Sequence, residues 1–364
     1  MTRAEMVGRL FPDGIPRLWC PLLTHYDEAG RIDRERMRAH LLTLTPRVNT
    51  FLAPGSTGDG WEMSPEQRGR LLSFLTEAAP ELGFTLLVGV LETGKGRARE
   101  AVSAISAGLG APTPLQAAGD GGGTDDTSAL KRLSEQRVCG FTVTPPAGAE
   151  LSQDEIRKDL AGVLELGLPT ALYQLPQITG NEMSPDTVTD LAGRYRNFYL
   201  FKDTSGADRV AYSARLTAAE TAEHEAEEVF LLRGAEGDYA EHLKAAGGRY
   251  DGFLLSTANS FSEELSRIIE LVHSGRSEEA RALSRRVQAV VDGVFEAVSP
   301  LAFGNPFANA NKAIDHVRAF HPEATRVSPP MTHSGTRLPE EAVQRAEELL
   351  ARQQLLPERG YLAG

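Results

Sequence analysis

Lys202 is the residue whose place in the sequence points most directly to chemistry. It lies at the end of the apolar run "FYLFKD" (198–203) and is followed by the turn sequence "TSG". A lysine at the end of a buried strand loses solvation, which disfavours the ammonium and favours an uncharged amine able to attack a carbonyl carbon. The alternative is structural: the amine pairs with neighbouring Asp203, or its stem lies on apolar surface with the amine in water.

The stretch "GSTGDG" (55–60) could bind an anion. Its glycines allow backbone N–H groups to point into one space, and its hydroxyls add donors for a carboxylate. The candidate binding residues are Gly55, Ser56, Thr57 and Gly58. The alternative is an ordinary glycine-rich turn.

Tyr173, in "LYQLPQITG" (172–180), carries a phenol that could transfer protons, although most tyrosines in apolar strands are core residues. His25, in "LLTHYD", is a further candidate because an imidazole could act on a hydroxyl group. Asp59 and Asp203 are the remaining candidates, and Asp203 could either orient Lys202 or cap the next helix.

Eight short apolar runs are the predicted strands that must position these side chains. They lie at residues 17–24, 48–54, 84–90, 139–145, 169–176, 198–203, 229–235 and 250–258. Their near-continuous apolar character is typical of parallel strands that are covered on both faces.

Amphipathic helices alternate with these runs. Serine capping signals predict helix starts at Ser64, Ser152 and Ser184. Eight strand–helix units before about residue 275 predict an α/β fold of the (β/α)₈ TIM barrel type, with an open doubly wound sheet as the alternative. In such a barrel the active site lies at the carboxyl ends of the strands.

The predicted domains are a catalytic barrel at 1–275 and helices packed on it at 276–364. The segment 111–130, rich in Gly, Asp, Thr and Pro, predicts a flexible insertion in the barrel. Two amphipathic helices are expected in the C-terminal part, at 277–298 and 339–356, joined by a link rich in proline and asparagine.

Composition excludes several classes of protein. The 364 residues carry 38 basic and 50 acidic side chains, a net charge of −12 without a concentrated basic stripe, so no nucleic-acid partner is expected. No apolar run is long enough to cross a bilayer and no leader is evident, which predicts a cytoplasmic protein without a membrane partner. Cys20 and Cys139 are predicted to be buried reduced thiols, no metal site is expected, and the histidines other than His25 are expected mostly on solvated helix surfaces.

Four motifs in order along the chain carry a resemblance to a known family. "GSTGDG", "FTVTPP" (141–146), "LYQLPQITG" and "FKDTSG" (201–206) resemble the dihydrodipicolinate synthase / N-acetylneuraminate lyase family of Schiff-base aldolases. The resemblance runs from about Gly14 to about residue 350 and includes "GNPFANANK" (304–312). The sequence "LLSTANS" (254–260), at the carboxyl end of the eighth predicted strand, adds Leu254 as a candidate substrate-binding residue.

The resemblance implies a chemical role for each motif. Lys202 would form an imine with a pyruvate-like 2-oxo acid, Tyr173 would transfer protons, and Ser56 with Thr57 would bind the carboxylate. The covalent imine would replace any external cofactor. A homo-oligomer, dimer or tetramer, is also implied.

The sequence departs from the family pattern at several positions. Pro146 and Ala147 stand where dihydrodipicolinate synthases have a tyrosine pair, and Ile178 stands where they have an arginine that binds a second substrate's carboxylate. Gln174 replaces an asparagine, and Asp59 a glutamate. The apolar Ile178 favours a substrate whose distal group is uncharged.

The predicted function is therefore a Schiff-base-forming lyase. Its reaction would be aldol cleavage or condensation, or dehydration of a 2-oxo sugar acid, rather than the condensation of the lysine pathway. The alternatives are a non-catalytic or regulatory relative that binds 2-oxo acids, a true 4-hydroxy-tetrahydrodipicolinate synthase, and an unrelated, metal-dependent barrel enzyme.

Overall fold

The computed structural model describes residues 1–111, 126–213 and 228–363. Most of the predicted insertion at 111–130 lies outside these residues. Its last part begins a helix, Asp126–Glu135.

Eight parallel strands form a closed barrel in sequence order, which confirms the (β/α)₈ prediction over the open sheet. Seven predicted runs contain one strand each, and the fourth overlaps a strand that begins one residue earlier, at Val138. The strands are β1 (Leu18–Pro21), β2 (Thr50–Ala53), β3 (Thr85–Val90), β4 (Val138–Val143), β5 (Thr170–Gln174), β6 (Phe198–Asp203), β7 (Phe230–Arg233) and β8 (Gly252–Leu254).

Helices follow most of the strands. They are α1 (Arg3–Leu10), α2 (Arg34–Leu44), α3 (Pro65–Leu82), α4 (Arg97–Gly108), α5 (Asp126–Glu135), α6 (Gln153–Leu164), α7 (Pro176–Thr179), α8 (Pro185–Arg194), α9 (Ala258–His273), α10 (Ser277–Val298), α11 (Pro306–Phe320) and α12 (Glu340–Arg352). The three predicted caps are present: the side chains of Ser64, Ser152 and Ser184 each accept from the backbone N–H three residues later.

The segment between β7 and β8 corrects the prediction of a helix after every strand. Residues 234–251 contain a single 3₁₀ turn, Lys244–Ala246, in place of an α-helix. Gly247, in the left-handed region at φ 87°, ends this turn, and Gly248 follows it. Glycines weaken a helix because they lose the most conformational freedom on folding.

Helix α11 corrects the prediction of an irregular C-terminal link. The Asn305 side chain accepts from the N–H groups of Phe307 and Ala308, and Pro306 occupies the first turn. The buried side of α11 carries alanines together with polar residues such as Lys312 and Asp315. The sequence of α11 therefore lacks the regular spacing of large apolar residues that predicts a helix, although the helix is buried.

The chain divides into two compact units by its internal contacts. The first unit comprises Met1–Arg17, Thr85–Ala235 and Arg249–Phe253. The second unit comprises Leu18–Phe84, Glu236–Gly248 and Leu254–Gly364. Helix α10 packs against α9, α11 and α12 within the second unit.

Both cysteines, Cys20 and Cys139, are buried and free, as predicted. None of the described helices combines the length and the apolar character that crossing a bilayer requires.

Candidate active site

Lys202 lies near the carboxyl end of β6, in the first unit. Its neighbours in the sheet are Tyr173 of β5 and Leu232 of β7. The side chain is only 4% exposed, and Nζ lies over the Tyr173 ring, 4.1 Å from its centroid. The structure therefore brings together the two residues that the sequence proposes for amine and proton chemistry.

No described side chain neutralises the Lys202 amine, since no hydrogen bond or ion pair reaches Nζ within the described ranges. The proposed pairing with Asp203 does not form. Asp203 instead accepts hydrogen bonds from the Ser205 N–H at 2.9 Å and the Ser205 hydroxyl at 2.7 Å. Asp203 therefore organises the turn after β6.

Asp203 also belongs to a buried network beneath that turn. The Tyr250 hydroxyl lies 2.7 Å from Asp208 Oδ1 and 3.2 Å from Asp203 Oδ2, and Arg233 Nε lies 3.5 Å from Asp208. Burial raises the pKa of Asp203, and the nearby Asp208 carboxylate adds to this effect. A phenol has one proton to donate, so a protonated Asp203 can satisfy the second contact.

Gly234, the first residue after β7, leaves room for the Lys202 side chain. A β-carbon at this position would lie 2.8 Å from Lys202 Cε and 2.5 Å from Thr204 Cγ2. The Gly234 N–H donates to the Asp203 carbonyl at 2.6 Å. The sequence analysis did not identify this glycine as part of the site.

The chain after β5 is fixed by polar contacts. The Gln174 carbonyl accepts from the Thr204 hydroxyl at 2.6 Å, while the Gln174 side chain accepts from the Met183 N–H at 2.8 Å. Ile178, in the short helix α7, is 42% exposed. Ile178 is thus available for contact with a ligand or solvent.

The loop after β4 carries the Pro146–Ala147 pair. The Asn181 side-chain amide donates to the Pro146 carbonyl at 2.8 Å and to the Gly148 carbonyl at 2.9 Å. The Ala147 N–H donates to the Thr93 carbonyl at 2.8 Å. Backbone contacts therefore hold this loop.

The turn "GSTGDG", in the second unit, forms a 3₁₀ turn at Ser56–Gly58. The N–H groups of Gly58 and Gly60 both donate to the Gly55 carbonyl, and the Asp59 N–H donates to the Ser56 carbonyl. This internal bonding occupies the N–H groups of Gly58 and Gly60, which therefore do not face a ligand as expected. The donors left for an anion among the described contacts are the N–H group of Gly55 and the donors of Ser56 and Thr57.

The Ser56 hydroxyl is oriented by the indole of Trp61, whose Nε1 donates to Ser56 Oγ at 2.9 Å. The serine hydroxyl accepts this bond, so its own proton stays available to a ligand. Gly58 is required for close packing, since a β-carbon there would lie 2.4 Å from the Leu22 carbonyl oxygen.

Asp59 is paired with a lysine that sequence analysis did not assign. Lys312 Nζ, on α11, donates to Asp59 Oδ2 at 2.5 Å, and both side chains are buried. Lys312 Nζ also lies 4.8 Å from the centre of the Tyr26 ring. The pair connects α11 to the 56–58 turn, and the only sequence signal for it was the "GNPFANANK" motif.

His25 lies in a buried cluster around Asp315 in the second unit. His25 Nε2 is 3.6 Å from Asp315 Oδ2, and His40 Nδ1 is 3.0 Å from Asp315 Oδ1. Arg36 pairs with Asp315, and the Tyr361 hydroxyl donates to it at 2.8 Å. The expected solvated position of His40 is therefore wrong, because the Asp315 carboxylate recruits it into the interior; His316 is also buried.

Electrostatics explain the protonation of this cluster. Burial, reinforced by Arg36, lowers the pKa of His25 well below its usual range. Burial alone would raise the pKa of Asp315, but Arg36 and His40 outweigh it and hold the pKa well below its ordinary value. A neutral imidazole thus faces an ionised carboxylate.

The ligand atoms of His25, His40 and Asp315 lie within 4.8 Å of one another, a spacing that could accommodate a metal ion. Arg36 already neutralises Asp315, and the positive charge of Lys312, like that of Arg36, lowers the pKa of His25. A divalent cation would meet this positive charge, so we interpret the cluster as a structural network.

Leu254, a further candidate binding residue, is the last residue of β8 and its side chain is fully buried.

Comparison with known proteins places these features in a family. The sequence model of the Dihydrodipicolinate synthetase family matches residues 120–307, about half of the chain. A 4-hydroxy-tetrahydrodipicolinate synthase of Sodalis glossinidius (strain morsitans) is 25% identical over 286 residues, covering 77% of this chain and 83% of that protein.

Solved structures share the fold. YagE of E. coli K12, a prophage protein of the dihydrodipicolinic acid synthase family solved in complex with pyruvate, has a TM-score of 0.67 and 19% identity over 93% of this chain and 98% of its own. The KD(P)GA of T. tenax has a TM-score of 0.65 and 19% identity over 93% and 99%. The chain belongs to the dihydrodipicolinate synthetase family and is a lyase of the class I aldolase type.

Proposed function

We propose that Lys202 forms an imine with a pyruvate-like 2-oxo acid, which the enzyme then uses for aldol cleavage or condensation, or for dehydration of a 2-oxo sugar acid. The observation that carries this proposal is a lysine amine buried at the end of β6, in contact with Tyr173 and without a described carboxylate partner. A lysine at a strand end, beside a phenol and without a described carboxylate partner, can present its amine to a carbonyl carbon.

The imine explains how the reaction proceeds without an external cofactor. The amine adds to the C2 carbonyl, and loss of water from the adduct gives the imine. The imine withdraws electrons, so a C3–H or a C3–C4 bond can break to give an enamine in place of a free carbanion. The Tyr173 phenol is the proposed group that moves protons to and from the reacting oxygen.

Binding of the substrate carboxylate is proposed for Ser56 and Thr57. Two contacts within the second unit support this. Trp61 orients the Ser56 hydroxyl, and the N–H groups of Gly58 and Gly60 already donate to the Gly55 carbonyl, so they do not compete for the carboxylate. A fixed carboxylate would hold the substrate in one orientation, which contributes to the rate.

The distal part of the substrate is proposed to be uncharged. Ile178 is an exposed apolar side chain, and it provides no group that would bind a second carboxylate. The second candidate is condensation with aspartate semialdehyde, which the name of the Sodalis relative favours. The departures at Ile178 and at Pro146–Ala147 favour the first candidate.

Borohydride trapping tests the imine. The protein is incubated with pyruvate and other 2-oxo acids, reduced with borohydride, digested and analysed by peptide mass. We expect one reduced adduct per chain, located on Lys202. The extent of labelling by each 2-oxo acid then ranks the substrate classes. Labelling elsewhere, or none with any 2-oxo acid, would refute the proposal and leave a binding relative or an unrelated enzyme.

A second assay distinguishes the two partner classes. Pyruvate consumption is measured with glyceraldehyde, an uncharged hydroxyaldehyde, and with aspartate semialdehyde. We expect the wild type to prefer glyceraldehyde and the Ile178→Arg variant to shift toward the charged partner. A wild type that prefers aspartate semialdehyde would favour the synthase reaction.

The proposed oligomer is a homodimer or homotetramer, as the family resemblance implies. Sedimentation velocity of the purified protein at several concentrations measures its mass directly. A monomer at all concentrations would contradict this part of the proposal and leave the chemistry of Lys202 untouched.

A further inference from the structure

Two threonines of the first unit present buried hydroxyl groups that the described structure does not satisfy. Thr142, in β4, is 4% exposed, and Thr144, directly after that strand, is 2% exposed. Neither Oγ1 has a hydrogen-bond partner among the residues that the structure describes. A buried hydroxyl without a partner is destabilising, so two such groups side by side indicate a binding site for a small polar molecule.

The strand register places both hydroxyls on the face that carries the proposed catalytic pair. Thr142 pairs with Ala171, and Val143 pairs with Leu172. Continuing by one residue sets Thr144 beside Tyr173, which pairs with Lys202. Paired residues of parallel strands point to the same side, and successive residues alternate. Thr142, Thr144, Tyr173 and Lys202 therefore share one face.

The neighbours of Thr142 are small. On one side it pairs with Gly89 of β3 and on the other with Ala171 of β5. A glycine and an alanine leave space at this level of the sheet. A buried water needs such space and two to four polar partners, which the two threonine hydroxyls and the Tyr173 phenol can provide.

We propose that Thr142 and Thr144 hold a buried water that relays protons to Tyr173 during imine formation. This inference rests on the proposed function of Lys202. The relay would take the place of the tyrosine pair that is replaced by Pro146 and Ala147, whose loop is held by backbone contacts with Asn181 and Thr93.

The relay moves one proton within the first adduct. Attack of the amine on the carbonyl gives an adduct with a positively charged nitrogen and a negatively charged oxygen. The nitrogen proton passes to the water, a water proton passes to the Tyr173 oxygen, and the phenol proton passes to the adduct oxygen. The product is the neutral carbinolamine, with water and phenol both regenerated, and no other reactant is needed.

The test compares Thr144→Val, Thr142→Val and the double variant with the wild type and with Thr144→Ser. Valine keeps the shape of threonine without the hydroxyl, and serine keeps the hydroxyl. The measurements are the rate of Lys202 labelling by pyruvate and borohydride, the final labelled fraction, and the exchange of pyruvate C3 hydrogens with D₂O by NMR.

We expect Thr144→Val to slow imine formation by roughly 10- to 100-fold, since positioned proton transfer contributes rate factors of this order or more. The final labelled fraction should stay the same, and Thr144→Ser should remain within about threefold of the wild type. The thermal midpoint of each variant is measured in parallel, and valine variants that unfold cooperatively like the wild type can be compared with it in the labelling assay.

The outcomes separate this inference from the proposed function. If the wild type is labelled at Lys202 and the folded valine variants are labelled equally fast, the relay is refuted and the proposed function stands. A Thr144→Ser variant as slow as Thr144→Val would also refute the relay, because shape rather than the hydroxyl would then matter. Absence of wild-type labelling would overturn both.

Discussion

Two buried lysines occupy contrasting environments in this protein. Lys312, in the second unit, is 1% exposed and its amine lies 2.5 Å from the Asp59 carboxylate. Lys202, in the first unit, is 4% exposed and contacts the Tyr173 ring without a described carboxylate partner. Burial is nearly the same, so the difference lies in the counter-charge.

The counter-charge decides what each lysine can do. A buried ammonium beside a carboxylate is compensated, so removal of either partner is costly, whereas a buried amine without a carboxylate partner is left to react with a ligand. The strand contributes to this difference, because Asp203 follows Lys202 directly and so points to the opposite face, where Ser205 and Tyr250 donate to its carboxylate.

Replacing Lys202 should have the largest effect on activity. In Lys202→Met we expect turnover to fall by roughly 10³-fold or more and borohydride labelling to disappear, because the nucleophile is lost. The free energy of unfolding, measured by urea titration, should be unchanged or higher by about 1 kcal/mol, since a mostly buried polar side chain is replaced by an apolar chain of similar length. A variant that keeps its label would contradict the assignment.

Replacing Lys312 should have the opposite effect. Lys312→Met leaves Asp59 buried without its cation, and we expect the free energy of unfolding to fall by about 3–5 kcal/mol. Folded Lys312→Met protein should still be labelled at Lys202. The Lys312→Met/Asp59→Asn double variant should recover much of the stability, and its failure to do so would show that the ion pair is not the cause.

Gly234→Ala tests how closely the Lys202 side chain is held. The new β-carbon would lie 2.8 Å from Lys202 Cε, so the side chain must shift, and we expect imine formation to slow by about tenfold. Gly69→Ala is the matched control: it lies in α3 with no atom within 4 Å of the added carbon and should leave labelling unchanged. Equal rates of imine formation in the two variants would show that the Lys202 side chain can move aside without loss of function.

The pH dependence of stability tests the polar surroundings of Lys312. Burial, with Arg36, His40 and Lys312, lowers the pKa of His25, and Asp315 opposes them. The unfolded chain takes up a proton near pH 6.5 that the folded chain does not bind, so this stability is present above that pH and is lost as the pH falls.

We therefore expect the free energy of unfolding to decline from pH 7 to pH 5, by at most about 1.4 kcal/mol per pH unit for one proton. His316, whose pKa burial also lowers, adds a contribution of the same sign. A His25→Asn variant should show a shallower decline than the wild type in parallel urea titrations. If the free energy of unfolding declined equally with pH in both proteins, a group other than His25 would be responsible for the decline.

The sequence was sufficient for features that depend on neighbouring residues. The apolar runs and the serine caps are local, so the strands and most helix starts could be predicted, and the closed barrel followed from their alternation. Helix α11 and the missing helix after β7 were not predicted. Alanine and buried polar residues hide the period of α11, and glycines interrupt the segment before β8.

The same distinction holds for the candidate site. The order of the motifs along the chain predicted that Lys202 and Tyr173 act in one reaction, because a candidate nucleophile at a strand end can be recognised from consecutive residues. Only the tertiary structure decided that Lys202 lacks a described counter-charge, that Lys312 has Asp59, and that the Thr142 and Thr144 hydroxyls are unsatisfied. These properties depend on contacts between residues far apart in the chain, and the spacing of residues along the sequence does not encode which carboxylate reaches which amine.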